Sequence, residues 1–137
     1  MLGRCGLLRS SSMASSPFYS AVFAFFLVSC SQSQTAPVAT PTATAQLVQQ
    51  PDVVVLDVRT PMEYNSGHLQ NARNLNFSSS DFPAQLAHLD TTKTYVLYCG
   101  SGVRSGKAIT MMQQQGFRKL VNAGGFNALK ENGLKTE

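Results

Sequence analysis

The sequence predicts an α/β fold with a mainly parallel central sheet flanked by helices. Two short, continuous runs of apolar and β-branched residues, 52–58 and 95–99, read as strands buried on both faces, and helix-starting signals follow each. Strands alternating with helices build parallel sheets, because a parallel neighbour can be reached only through a crossover. With 137 residues, 43% of them hydrophobic, the chain supports one core rather than two.

The elements follow in order. After the strand at 52–58, Thr60 precedes Pro61, an N-cap before a proline suited to the first helical turn, and Gly67 ends that short helix. Asp81, followed by Phe82, Leu86 and Leu89 at near-helical spacing, predicts a second helix with an acidic N-cap. Beyond the strand at 95–99, residues 103–115 read as a helix with Ala108, Met111 and Met112 inward and Gly116 as its stop. A last strand is expected at 119–122 and a last helix at 126–131.

The N-terminal part has a different composition. Residues 10–51 carry no charge, and within them residues 18–29 form an apolar run of twelve, shorter than the roughly 20 residues a spanning helix needs. With Arg4 and Arg9 upstream and small residues at its end, the run has the layout of a secretory signal. Its end, Leu27-Val28-Ser29-Cys30, resembles the lipobox of bacterial lipoproteins, which implies that Cys30 is acylated and becomes the first residue of the mature protein. Residues 31–50 are rich in Ser, Thr, Ala, Gln and Pro without a periodic apolar face. The expected organisation is a signal peptide at 1–29, a flexible tether at 30–44 and a folded domain at 45–137. Ser31, in place of the aspartate that retains many lipoproteins in the inner membrane, directs the expectation to the outer membrane of a diderm host, with the domain on the periplasmic side.

Charge and cysteines narrow the function. Eleven basic residues face seven acidic ones, and with Arg4 and Arg9 set aside the excess falls to two, which is no footprint of a nucleic-acid partner. The three cysteines, Cys5, Cys30 and Cys99, are too few for a disulfide framework and lack zinc-ligand spacing. Cys99 stands apart from the other two. A lone cysteine ending a core strand is ordinarily a packing residue. Here Cys99-Gly100-Ser101-Gly102-Val103-Arg104-Ser105-Gly106 lies where a buried strand gives way to a helix, the place where open α/β sheets put their ligands. Gly100, Ser101, Gly102 and Val103 let successive N–H groups converge as an anion-binding nest, and those groups, the helix dipole and Arg104 lower the pKa of a thiol at its edge. That combination makes Cys99 a candidate nucleophile.

At these residues the chain resembles the rhodanese family of sulfurtransferases. The resemblance runs from about Gln46 to the C-terminus through Asp57-Val58-Arg59 with Glu63-Tyr64, Gly67-His68-Leu69, Ala72-Arg73-Asn74, the Cys99 loop, and Asn122-Ala123-Gly124-Gly125. It implies a three-layer rhodanese-like domain whose Cys99 takes sulfane sulfur from a donor such as thiosulfate, holds it as a persulfide and passes it to cyanide or a thiol. Arg104 would orient the anionic donor, Asp57 and Arg59 would support the loop structurally, and no metal or organic cofactor is required. A monomer is expected. Two departures stand out: Gln70-Asn71 replaces a usual Pro-Gly, and Leu129 stands where tryptophan is frequent. Asn71 tolerates a left-handed turn and Leu129 can fill a core site.

Loop length separates two chemistries. Four residues lie between Cys99 and Arg104, whereas the Cys-x5-Arg signature of tyrosine and dual-specificity phosphatases has five. Phosphatase or arsenate chemistry is therefore the lesser enzymatic alternative, the more so because no carboxylic acid is evident near the loop. A non-enzymatic sulfur-carrier or protein-binding module is the other. Arg59 and Glu63, at i and i+4, are spaced for a surface ion pair. His68 reads as a turn residue satisfied by backbone, Lys107 as a source of positive potential or a solvated side chain, and His88 and Lys93 as surface residues.

Overall fold

A computed structural model of the chain describes residues 37–137. The signal peptide expected at 1–29 and the expected acylation of Cys30 fall outside the described residues. The described elements are α1 (Pro41–Leu47), β1 (Val53–Asp57), α2 (Pro61–Asn65), β2 (Arg73–Asn74), α3 (Phe82–Leu86), β3 (Thr94–Cys99), α4 (Val103–Gln114), β4 (Leu120–Gly125) and α5 (Phe126–Glu131). They form a four-stranded sheet in the order β2-β1-β3-β4, and every pairing is parallel.

Strand alternation on β3 assigns the layers. Tyr95, Leu97 and Cys99 point to one face and pack with Phe82 and Leu86 of α3 and Ala108, Ile109 and Met112 of α4. Val96 and Tyr98 point to the other face, where Leu69, Ala72, Leu129 and Leu134 close a second apolar cluster. Helices thus cover both faces, which is why β1 and β3 read as continuous apolar runs. Leu129 is fully buried, and Asn71 adopts φ 63°, so both departures from the family pattern are accommodated.

Local chemistry starts and stops the helices. Thr60 and Glu63 form a capping box on α2: the Thr60 hydroxyl accepts from Glu63 N, and the Glu63 carboxylate accepts from Thr60 N at 2.9 Å. The C-terminus of α4 is a Schellman closure, with Gly116 N donating to Gln113 O and Phe117 N to Met112 O, both at 3.1 Å. Gly116 takes φ 95°, and Phe117 then packs with Met112 in the same core cluster. Leu134 closes α5 in the same way, through Leu129 O. Asp81 precedes α3 but makes no cap bond; its carboxylate instead accepts from Ser79 Oγ and, at 2.7 Å, from Gln85 Nε2.

The N-terminal boundary differs from the expected one. The folded part includes residues 38–44, which were expected to belong to a tether: Val38 pairs parallel with Asn122, Ala39 N donates to Asn122 O at 2.7 Å, and Thr40 caps α1 ahead of Pro41. Thr44 is fully buried, and Ala45, Leu47 and Val48 pack on the second core cluster. The segment folds because it has a sheet edge to pair with and an apolar face to cover. No helix among the described residues is long and apolar enough to cross a membrane.

Candidate active site

Cys99 is the last residue of β3, and alternation turns its side chain toward α4. It is the one free cysteine among the described residues and is fully buried. Gly100, Ser101 and Gly102 reverse the chain so that α4 starts at Val103; Gly100, Ser101 and Val103 are exposed and Gly102 is buried. Gly102 takes φ 92°, a left-handed conformation that lets its N–H fold back and donate to Cys99 Sγ at 3.0 Å. A Cβ at this position would stand 3.1 Å from Gly124 Cα, so space as well as conformation calls for glycine. The Ser105 hydroxyl lies 3.8 Å from the same sulfur. Burial alone pushes the Cys99 thiol up, but the N–H groups of Ser105 and Ser101, the Ser105 hydroxyl and the Gly102 N–H outweigh it and hold the thiol below its ordinary value.

A second ring of contacts fixes that loop. Asn122, 3% exposed on β4, donates to Gly102 O at 3.1 Å and accepts from Ser105 Oγ at 2.8 Å and from Gly124 N at 3.0 Å. Its position depends on a bulge: Leu97 pairs with Asn122 but Tyr98 pairs with Gly124, leaving Ala123 as an extra residue. The bulge carries Gly125 under the loop, where a Cβ would meet Gly100 O at 2.8 Å. Val38 lies against Gly102 and Gly124 from the other side; a Cβ on Gly102 would be 3.6 Å from its Cγ2.

Arg104 has a carboxylate partner. Its Nη2 donates to Glu63 Oε1 at 2.6 Å and its Nη1 to Glu63 Oε2 at 2.8 Å, a two-pronged ion pair between the first turn of α4 and α2. The pair lies against the loop, since a Cβ on Gly100 would be 3.2 Å from Nη2 and 3.8 Å from Oε1. Glu63 therefore does not pair with Arg59, as their i, i+4 spacing suggested. The hydrogen-bonded Arg104 guanidinium holds the Glu63 carboxyl down to about 2. A carboxyl group is thus near the loop after all, held as the carboxylate by its ion pair with Arg104.

Asp57 and Arg59 form a buried pair below the strand ends. Arg59 Nη2 donates to Asp57 Oδ2 at 2.6 Å and to Gly67 O at 2.7 Å, and the guanidinium lies 4.2 Å from the Phe126 ring centre. The pair ties β1, the end of α2 and α5 together and does not touch Cys99. His68 stacks on Tyr64 and meets Tyr64 O through Nδ1 at 3.1 Å. Lys107, His88 and Lys93 are exposed. Among the described residues, no group of three or more His, Cys, Asp or Glu is placed to hold a metal. The sequence reading singled out Cys99 and its loop, but not the roles of Ser105, Asn122, Glu63 and Val38. Thr60-x-x-Glu63 is a capping-box signature that could have located the carboxylate, though not its partner.

Comparisons with known proteins bear on the family and the fold. A 37% identical relative over 107 residues is the uncharacterised protein slr1261 of Synechocystis, matched over 77% of this chain and 59% of its own length. A protein named sulfurtransferase from Allochromatium vinosum is 32% identical over 90 residues, covering 65% of this chain and 82% of that one. A tRNA uridine(34) hydroxylase of an aster yellows phytoplasma is 41% identical over 76 residues, which span 53% of this chain and only 25% of the hydroxylase. Among solved structures, a rhodanese-related protein from Thermoplasma volcanium superposes with a TM-score of 0.65 at 25% identity, covering 74% of this chain and 98% of that one. The model of the Rhodanese-like domain matches residues 40–132, and the chain belongs to that family.

Proposed function

We propose that the protein is a sulfurtransferase that moves sulfane sulfur through a Cys99 persulfide, from thiosulfate or a related donor to cyanide or a thiol acceptor. The observation that carries this reading is the cradle around Cys99 Sγ, with Gly102 N–H at 3.0 Å and the start of α4 facing the sulfur. A thiolate stabilised there attacks the outer sulfur of thiosulfate; the sulfur–sulfur bond breaks and its electron pair leaves with sulfite. The persulfide anion so formed has the loop N–H groups within reach as donors. Full burial of Cys99 favours a donor with a slim reacting end over a bulky electrophile. The second half-reaction transfers the outer sulfur to cyanide or to a thiolate and regenerates Cys99.

The named sulfurtransferase among the relatives supports the reaction class. The carrier or binding-module alternative predicts sulfur uptake without turnover. Saturable formation of thiocyanate from thiosulfate and cyanide, lost in Cys99→Ser, is the expected result; a variant as active as the parent would remove Cys99 from the mechanism. No nucleic-acid partner is required. We further propose that the chain is exported and lipid-anchored through Cys30, on the strength of the Leu27-Val28-Ser29-Cys30 sequence. Partition into a detergent-rich phase, lost in Cys30→Ala, is the expected behaviour, and a soluble unlabelled product after fatty-acid feeding would contradict it.

A further inference from the structure

The Arg104 guanidinium is the charge nearest the loop that an anionic donor could seek, yet both of its terminal nitrogens are engaged by Glu63, at 2.6 and 2.8 Å. Glu63 is itself immobilised. Its Oε2 also accepts from Thr60 N at 2.9 Å and Thr60 Oγ1 at 2.8 Å, so Glu63 cannot swing away from Arg104 without breaking the capping box of α2. Four donors hold one carboxylate, and the pair carries no net charge beside Gly100. With the Arg104 charge offset in this way, attraction for a donor anion falls more heavily on the loop N–H groups and on Lys107, which is exposed one turn along α4.

We propose that Glu63 is a specificity-determining residue that acts through Arg104: by neutralising and fixing the guanidinium, it weights the site against dianionic sulfur donors in favour of donors bearing one negative charge or none. The proposal rests on the sulfur-transfer reading. It does not alter the reaction. With thiosulfate the Cys99 thiolate displaces sulfite, and with methanethiosulfonate the same attack on the outer sulfur displaces methanesulfinate. In each case one sulfur–sulfur bond forms, one breaks, and the total charge is unchanged. What differs is donor charge. Coulomb energy scales with that charge, so a fixed carboxylate that disfavours a dianion about tenfold disfavours a monoanion about threefold.

The test uses the full chain and Glu63→Gln. Glutamine also serves at this position of a capping box and keeps an acceptor for Thr60 N, so α2 retains its start. With cyanide as acceptor at low salt, kcat/KM for thiosulfate is expected to rise about tenfold and that for methanethiosulfonate about threefold, the gain shrinking as salt is added. The donor ratio within each protein is independent of the active fraction, so partial unfolding does not imitate the effect. An unchanged ratio, or one that moves toward the monoanion, overturns the proposal. A second readout needs no turnover: the rate of Cys99 alkylation by iodoacetate relative to neutral iodoacetamide should rise about threefold in Glu63→Gln. If the parent protein forms no thiocyanate from either donor while this ratio rises, the sulfur-transfer reading fails and the electrostatic role of Glu63 stands. If both donors turn over and neither ratio moves, the reverse holds.

Discussion

Gly125 offers a direct test of how tightly the sheet dictates loop geometry. Its backbone, at φ −97° and ψ 139°, suits any residue, so Gly125→Ala introduces no conformational strain. The added methyl, however, would stand 2.8 Å from Gly100 O and 3.4 Å from Ser101 Cα. A carbon and an oxygen not hydrogen-bonded to each other settle at about 3.3 Å or more, so the loop must retreat by roughly half an ångström, and backbone has nowhere flexible to fold away. Overpacking of this kind costs about 1 to 2 kcal/mol, a loss most domains survive folded. The same displacement moves the N–H groups that face Cys99 Sγ. Because misplacement by about 1 Å can cost about a hundredfold, half of that should lower kcat/KM for thiocyanate formation by about tenfold. Urea unfolding supplies the stability change and donor-dependent kinetics the functional one. Gly106→Ala is the matched control: its Cβ would meet Asn122 Nδ2 at an ordinary 3.4 Å, and in the helix α4 alanine is favoured over glycine by up to about 1 kcal/mol. A folded Gly125→Ala protein with kcat/KM within about twofold of the parent would refute the claim that this contact positions the loop.

Other perturbations follow from the same contacts. Ser105→Ala removes a hydroxyl that favours the Cys99 thiolate; since alkylation is lost as pH falls through the thiol pKa, its midpoint should move up, and an unmoved midpoint in the pH profile would count against the cradle. Arg59→Met leaves the Asp57 carboxylate buried without its cation and should cost about 3 to 5 kcal/mol in urea unfolding, whereas a loss under about 1 kcal/mol would show that the pair is not structural. Glu63 titrates near 2 in the folded chain against 4.5 as its ordinary value, so the stability it supplies is complete above about pH 4.5 and is lost as pH falls toward 2. Its side chain is 37% exposed, which limits that contribution to about 1 kcal/mol or less, and Glu63→Gln should flatten the slope in this window.

The central strands and the Cys99 loop were legible in the sequence because their signals are local. A continuous β-branched run needs no partner to be recognised, and a cysteine between such a run and a glycine-rich helix start carries its chemistry within eight residues. Helix α1 was equally legible and was missed: Thr40-Pro41 repeats the Thr60-Pro61 pair that marks α2, but the surrounding Ser, Thr, Ala and Gln composition masked it. Strand β2, two residues long, is too short for any periodicity and exists because Leu56 and Asp57 offer it a ladder. The Arg104–Glu63 pair joins positions 41 residues apart, and only the crossover geometry decides that Glu63 faces Arg104 and not Arg59. The bulge at Ala123 was hidden for a similar reason, since register is a property of two strands and not of one.

The persulfide is the claim on which the functional reading stands or falls. A chain of residues 37–137 includes every residue around Cys99, and Cys99 is its one thiol. Incubated with thiosulfate and read by intact mass spectrometry, it should gain the mass of one sulfur atom, lose it on addition of cyanide, and show no such gain as Cys99→Ser. An adduct that forms equally in the Cys99→Ser protein, or a parent protein whose mass never changes although it is folded and its thiol alkylates freely, would contradict transfer through Cys99.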